Sequence, residues 1–368
     1  MIARRQPGSR DEIVEQRLGI IRPDPVVPPG GAVERLPEPL AVFVRMHPAI
    51  LPPMILGAPG RHNRAEAPGG RRPVPVQTTG YYLEPAVMTA PGDYQPLLAD
   101  LPHGAAALAR VAHGVLIHEH IAGAYGVTLT DKRRASVHVR PVAALLERMM
   151  AADKRPLTVP REPVGRLPGN CRHFTVLTAA MLRAQGTPAR ARCGFGGYFG
   201  TGTFEDHWVC EYWDEAAGRW KLADAQIDDV QLGLFEVDFD LMDVPREAFL
   251  VAGDAWRLCR DGGADPARFG LSLMGEGGYW WIAANLLRDV AALNNMEMLP
   301  WDVWGAMPAP DEAISDEQYA LFDRLAGLTR DPDAAFAELR AAYGSDARLR
   351  VPATVYNAVL NRPEPVLP

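Results

Sequence analysis

The sequence has 368 residues, 48% hydrophobic and 23% charged, with a formal net charge of -7. A chain of that length and composition buries a large core without staples and divides into roughly two or three units. This excludes a disulfide scaffold, a collagen-like rod and a globally disordered chain. There is no run of about 18 apolar residues to suggest a membrane-spanning helix. The basic start, Met1 to Arg10, lacks the apolar stretch of an export signal. Charge is uneven: residues 1–78 carry 11 Arg against 7 acids, leaving -11 on the remainder. An acidic body argues against nucleic acid as a partner. The four cysteines, at 171, 193, 210 and 259, form no CxxC pair. Free thiols in a reducing compartment, the cytoplasm, are therefore expected.

In chain order, residues 1–79 read as a proline-rich extended arm. Fourteen of the 34 prolines lie before residue 79, and proline fixes φ while withholding a donor. Stretches 40–44 and 50–56 suit short edge strands, and the arm could pair a second copy into a homo-oligomer. Helical spacing (Leu108, Val111, Ala112, Val115) predicts a helix over 105–124, followed by one over 142–150. After the proline-rich loop 156–169, residues 171–185 read as a helix stopped by Gly186-Thr187-Pro188. Strands are predicted at 189–195, 207–213 and 220–223, with a glycine-rich loop over 194–202 and a turn at 214–219. The loop lacks a GxGxxG fingerprint and reads as a mobile segment beside a cleft rather than a phosphate cradle. Helices follow near 245–250, 255–259, 279–292, 316–325 and 333–342.

Cys171, His207 and Asp224 carry the chemistry. Cys171 starts a predicted helix, where unpaired N–H groups and the helix dipole stabilise an anion. A thiolate is such an anion, and the same N–H groups can hold an oxyanion. With the turn centred between Glu215 and Ala216, Trp213 faces Gly218, Glu211 faces Trp220, and His207 lies directly opposite Asp224 at about 5 Å between Cβ atoms. Alternation puts His207, Val209, Glu211 and Trp213 on one face of the strand and Trp208, Cys210 and Tyr212 on the other. A cysteine activated by a histidine that a carboxylate orients is the logic of covalent acyl transfer.

Gly169-Asn170-Cys171, with the helix that ends Leu182-Arg183-Ala184-Gln185-Gly186-Thr187-Pro188-Ala189-Arg190, resembles the nucleophile helix of the transglutaminase-like superfamily. His207 with Glu211 four positions on, and Asp224 beyond Trp220, resemble that family's His and Asp motifs. The resemblance is specific over about residues 165–230. A looser likeness to bacterial transglutaminase-domain proteins extends to Leu116-Ile117-His118-Glu119-His120, to the segment from Phe249 to Trp256, and to Leu299-Pro300-Trp301-Asp302-Val303-Trp304. The resemblance implies an α+β, papain-like core over 80–310, with a nucleophile helix packed on an antiparallel sheet and helical additions over 311–368. It implies Cys171 as nucleophile, His207 as base and then acid, and Asp224 as the group orienting the imidazole, with no cofactor. Two positions depart from the family pattern: Trp208 directly follows the His, and Ala225-Gln226 follows the Asp. Both bear on the shape of the acyl pocket, so Trp208 and Gln226 are expected at the substrate.

Arg172 and His173 follow the nucleophile and suit either a substrate carboxylate or a solvated first turn. Asp206 and Glu211 fit structural pairing better than catalysis. Cys193, Cys210 and Cys259 read as core, since free cysteine is among the most buried residue types. His118-Glu119-His120 invites a metal reading, but on a helix zinc takes His at i and i+4, so no metal is expected. The function expected is acyl transfer from an amide, peptide or thioester carbonyl, leaning to hydrolysis because water needs no second site. Amide formation with an amine and a non-catalytic binding module are the alternatives.

Overall fold

The protein is described here from a computed structural model that covers residues 76–310 and 312–367. Residues 1–75 of the expected arm, with the edge strands expected at 40–44 and 50–56, lie outside the described residues, and residues 76–79 are helical rather than extended. The helix α1 (Val76–Leu83) comes first, then α2 (Ala105–Val115), β1 (Leu116–His118), α3 (Val142–Ala152), β2 (Leu167–Gly169) and α4 (Cys171–Ala184). Strands β3 (Ala189–Gly196), β4 (Phe204–Asp214), β5 (Arg219–Ala223) and β6 (Phe249–Val251) follow, then α5 (Ala252–Arg260), β7 (Phe269–Leu271), β8 (Glu276–Gly277) and α6 (Tyr279–Ala292). The chain continues through β9 (Asp302–Val303), α7 (Asp316–Arg330), α8 (Phe336–Ser345) and the hairpin β10 (Thr354–Asn357) and β11 (Arg362–Pro365). This is the α+β, papain-like architecture, with β6-β3-β4-β7-β8 in one sheet and β5 beside β4.

The helix α4 is buried for every residue from Cys171 to Arg183, its polar and charged residues included. Leu177 and Met181 pack with Leu108, Val111 and Leu145 of α2 and α3, and with Ala189 and Cys210 of the sheet. Its end is a glycine stop: Gly186 takes φ +79, and Thr187 N donates to Leu182 O at 2.9 Å, satisfying a carbonyl the helix leaves open. Arg183 then fastens helix to strand, its Nε donating to Ala189 O at 2.8 Å and its Nη atoms to Thr89 Oγ1 and Asn295 Oδ1. Residues 312–367, expected as a helical extension, add α7, α8 and a β-hairpin. Phe322, Leu325, Leu339 and Val355 enter the same core as Trp256, Ile282 and Leu286.

Three expected elements differ. The helix from Ala105 stops at Val115, because residues 116–118 pair in parallel with β2; periodicity alone does not separate a buried helix from a short buried strand. Residues 245–250 form a turn leading into β6 rather than a helix. The β4–β5 hairpin pairs Trp213 with Trp220 and Glu211 with Leu222, not with Gly218 and Trp220. Its loop closes one residue later than assumed, because Asp214 Oδ1 accepts from Ala217 N at 2.9 Å and Gly218 takes φ +62. Moving the turn centre by one residue shifts the pairing by two, and two residues is the period of a strand. Asp224 therefore keeps the face of His207 but stands diagonally to it. No helix of the described residues is long and apolar enough to cross a membrane.

Candidate active site

Cys171 opens α4 behind the extended Asn170. As the first helical residue its N–H has no intrahelical acceptor, and neither has that of Arg172. The side chain is 6% exposed and packs with Ala191, Cys193, Trp208 and Ala292. The thiol also lies within electrostatic reach of the imidazole of His207, which β4 carries toward the helix start. His207 Nε2 lies 2.8 Å from Asp224 Oδ2, leaving Nδ1 for the sulfur. Asp224 follows the last residue of β5 and is pinned by its own backbone, its N–H donating to Leu241 O at 2.8 Å. Its carboxylate takes two further hydrogen bonds, from Tyr198 Oη at 2.8 Å and from Gln226 N at 3.0 Å.

Electrostatics follow from this arrangement. Burial alone pulls the imidazole of His207 down, but the Asp224 carboxylate, its hydrogen bond and the Cys171 thiol hold it up to about 10. Burial pushes Asp224 up, and the His207 charge and hydrogen bond, with those of Tyr198 and Gln226 N, leave it below the usual carboxylate range. The site thus favours an imidazolium beside a carboxylate, the charge state that a thiolate partner requires.

Aromatic rings pack against His207. The loop expected over 194–202 begins only after Gly196, since 194–196 belong to β3, and it presents Phe199 with its ring 5.0 Å from His207 and 4.9 Å from Phe235. Tyr198 meets Phe239 at 5.3 Å. Neither Tyr198 nor Phe199 was singled out from the sequence. The available signal was an aromatic pair inside a glycine-rich loop just ahead of the histidine strand.

The other sequence candidates fall elsewhere. Arg172 is fully buried and spends its donors on backbone: Nε to Glu297 O at 3.0 Å, Nη1 to Arg140 O at 2.6 Å and Nη2 again to Glu297 O. His173 is fully buried too, with Nδ1 accepting from Asn170 N at 3.1 Å and Nε2 donating to Val139 O at 3.0 Å. Burial and the neighbouring Arg172 push it down to about 3. The structure therefore ties both to the fold and brings neither to a substrate. Trp208 is 1% exposed beneath Cys171, on the strand face away from His207. Gln226 is buried behind Asp224, with Nε2 donating to Gln231 Oε1 at 2.9 Å. Asp206 accepts from Trp281 Nε1 at 2.6 Å, and Glu211 from Arg190 and Arg192. Cys193, Cys210 and Cys259 are buried free thiols. His118 and His120 lie in a strand end and a turn, not on a helix.

Residues 143–225 match the family model of the transglutaminase-like superfamily, a segment that runs from α3 through Cys171 and His207 to Asp224. A solved structure of a candidate cysteine protease from Cytophaga hutchinsonii is also similar, at 17% identity and a TM-score of 0.26, over 43% of this chain and 45% of that one. The alignment thus spans less than half of that protein. No curated protein matches the chain. Over the segment that holds the cysteine helix and the His–Asp hairpin, the chain is thus similar to the transglutaminase-like superfamily.

Proposed function

We propose that the chain is a cysteine-dependent acyl-transfer enzyme with Cys171 as nucleophile, His207 as acid and base, and Asp224 as the residue orienting His207. One observation carries this reading: the buried Asp224 holds His207 at 2.8 Å within electrostatic reach of the Cys171 thiol, which opens a helix N-terminus. In the first half-reaction the Cys171 sulfur forms a bond to an amide or thioester carbonyl carbon, and the π pair moves to oxygen. The tetrahedral species collapses, the leaving group takes the proton held on His207, and an acyl-enzyme remains. In the second half-reaction His207 accepts a proton from water, the hydroxide adds to the acyl carbon, and the thiol departs with its proton restored. Hydrolysis is preferred over amine transfer because its second nucleophile needs no binding site of its own.

Peptides, glutamine donors and acyl thioesters, offered separately and followed by intact-protein mass, test this. A mass gain confined to Cys171, absent in Cys171→Ala and discharged by water faster than by added amines, is expected. A gain that persists in Cys171→Ala would remove the nucleophile. Faster discharge by amines would move the assignment to amide formation.

A further inference from the structure

Beyond the backbone N–H groups at the start of α4, a side-chain donor adds to the stabilisation of the oxyanion. The segment beside the nucleophile supplies one. β1 runs parallel to β2, with His118 paired to Gly169, two residues before Cys171. Glu119 N donates to Gly169 O at 2.9 Å and pins the end of that pairing. Paired residues in adjacent strands project from the same face. A Cβ placed on Gly169 would lie 3.0 Å from the Cβ of His173, so that face is the one turned to the first turn of α4. The His118 imidazole sits there, half-buried and within electrostatic reach of His207 and His173.

Its hydrogen bonding settles which nitrogen carries the proton. His118 Nδ1 accepts from His120 N at 3.3 Å, so in the neutral ring the proton is on Nε2. Nε2 has no hydrogen-bond partner among the described residues, and the residue as a whole is half-buried. Trp208 Nε1 also lacks a partner beside Cys171, but it is sealed on the far strand face, where no substrate reaches it.

We propose that His118 donates its Nε2–H to the carbonyl oxygen that becomes the oxyanion, as the side-chain partner of the Cys171 backbone N–H. This rests on Cys171 being the nucleophile. Burial, with His120, His207 and His173 nearby, holds the His118 ring well below its ordinary range. It therefore remains a neutral donor and places no second positive charge beside the His207 imidazolium. As sulfur adds to the carbonyl carbon and the π pair moves to oxygen, the Nε2–H···O contact shortens. When the oxygen regains its double bond the contact relaxes, and His118 keeps its proton throughout.

Two probes on the same thiol of the full chain isolate this role. p-Nitrophenyl acetate acylates a thiol through a tetrahedral oxyanion, whereas iodoacetamide alkylates it by displacement at a saturated carbon, with no oxyanion. The ratio of the two rates normalises for folded fraction and thiol reactivity. In His118→Phe, acylation of Cys171 is expected to fall about 10²- to 10³-fold with alkylation unchanged, and His118→Gln, which keeps a donor, recovers part of the loss. An unchanged ratio in His118→Phe overturns the proposal. So does a parallel fall in both rates, which would make His118 a positioning residue for the thiol. If iodoacetamide leaves Cys171 unlabelled in the parent, the nucleophile assignment fails and this proposal with it; intact labelling with an unaffected ratio sinks the His118 role alone.

Discussion

Strand β4 carries two buried charged groups on one face, four residues apart, and they differ in what is left over. Glu211 accepts from Arg190 Nε at 2.6 Å and Arg192 Nη1 at 3.0 Å. Arg190 reaches on to Asp333 at 2.7 Å, and Arg192 to both oxygens of Asp289 and to Thr329 O. Every strong partner there is spent within the protein. His207 instead gives one nitrogen to Asp224 and keeps the other at a thiol on the first residue of a helix. Both groups are buried and both are displaced far from their ordinary titration. Burial and displacement therefore do not distinguish a site from a structural cluster. A proton with somewhere to go does.

The sharpest way to break this comparison is Asp224→Asn. The carboxylate goes, the shape stays, and the imidazole loses the partner that fixes its tautomer. Turnover on whichever substrate acylates Cys171 is expected to fall as much as about 10⁴-fold, with KM little changed. Parent-level turnover would show that His207 needs no orienting carboxylate and would remove Asp224 from the site.

That pairing was legible in the sequence for a specific reason. The assumed register was off by two residues, and a shift of two preserves the face; a shift of one would have turned Asp224 away from His207. The cysteine helix was legible as well, because its start and glycine stop are local signals. The parallel pairing of β1 with β2 was not. It joins residues about fifty positions apart, and two apolar residues and a histidine continuing a helix give no sign that they leave it. His118 was consequently weighed as a helix residue for metal spacing, not as a neighbour of Gly169. Arg172 and His173 misled in another way: polarity beside a nucleophile suggested substrate, yet their partners, Glu297 O and Val139 O, lie far along the chain and leave no trace in the local pattern.

Glu211→Gln tests the other side of the comparison. It leaves two buried guanidiniums with less compensation, and removing one partner of a buried pair costs about 3–5 kcal/mol. Denaturant unfolding should show that loss, while the iodoacetamide rate at Cys171 in the folded protein should match the parent. A slower thiol at unchanged stability would mean that Glu211 belongs to the site after all.

Titration separates the two clusters by the limb of the stability profile each governs. His207 is held up to about 10 against its ordinary value of 6.5. Its contribution to stability is fully present below about 6.5 and is lost as pH rises through about 10. Burial pushes Glu211 up, but Arg190, Arg192 and Arg246 hold it down to about 2 against 4.5. Its contribution is present above about 4.5 and is lost as pH falls through about 2. His207→Gln should therefore flatten the alkaline limb of the stability profile alone, and Glu211→Gln the acid limb alone. If either variant flattens the opposite limb, the pairing of residue with limb is wrong.

The smallest expected effect is the most discriminating for the aromatic side of the site. Tyr198 Oη is one of the donors that hold Asp224 charged, and its ring packs edge-on to His207 at 6.0 Å. Tyr198→Phe keeps the ring and removes only the hydroxyl. A hydrogen bond to a charged group is worth about 1.5–3 kcal/mol, but His207 and Gln226 N remain on the same carboxylate and share the load. Turnover should fall by about tenfold at most, since about 1.4 kcal/mol is a factor of ten, with the imidazole titrating lower than in the parent, because Asp224 is then less firmly ionised. The ¹H–¹⁵N shifts of the His207 ring across pH would show this directly. An unmoved midpoint would mean that Tyr198 seals the dyad from water without tuning it.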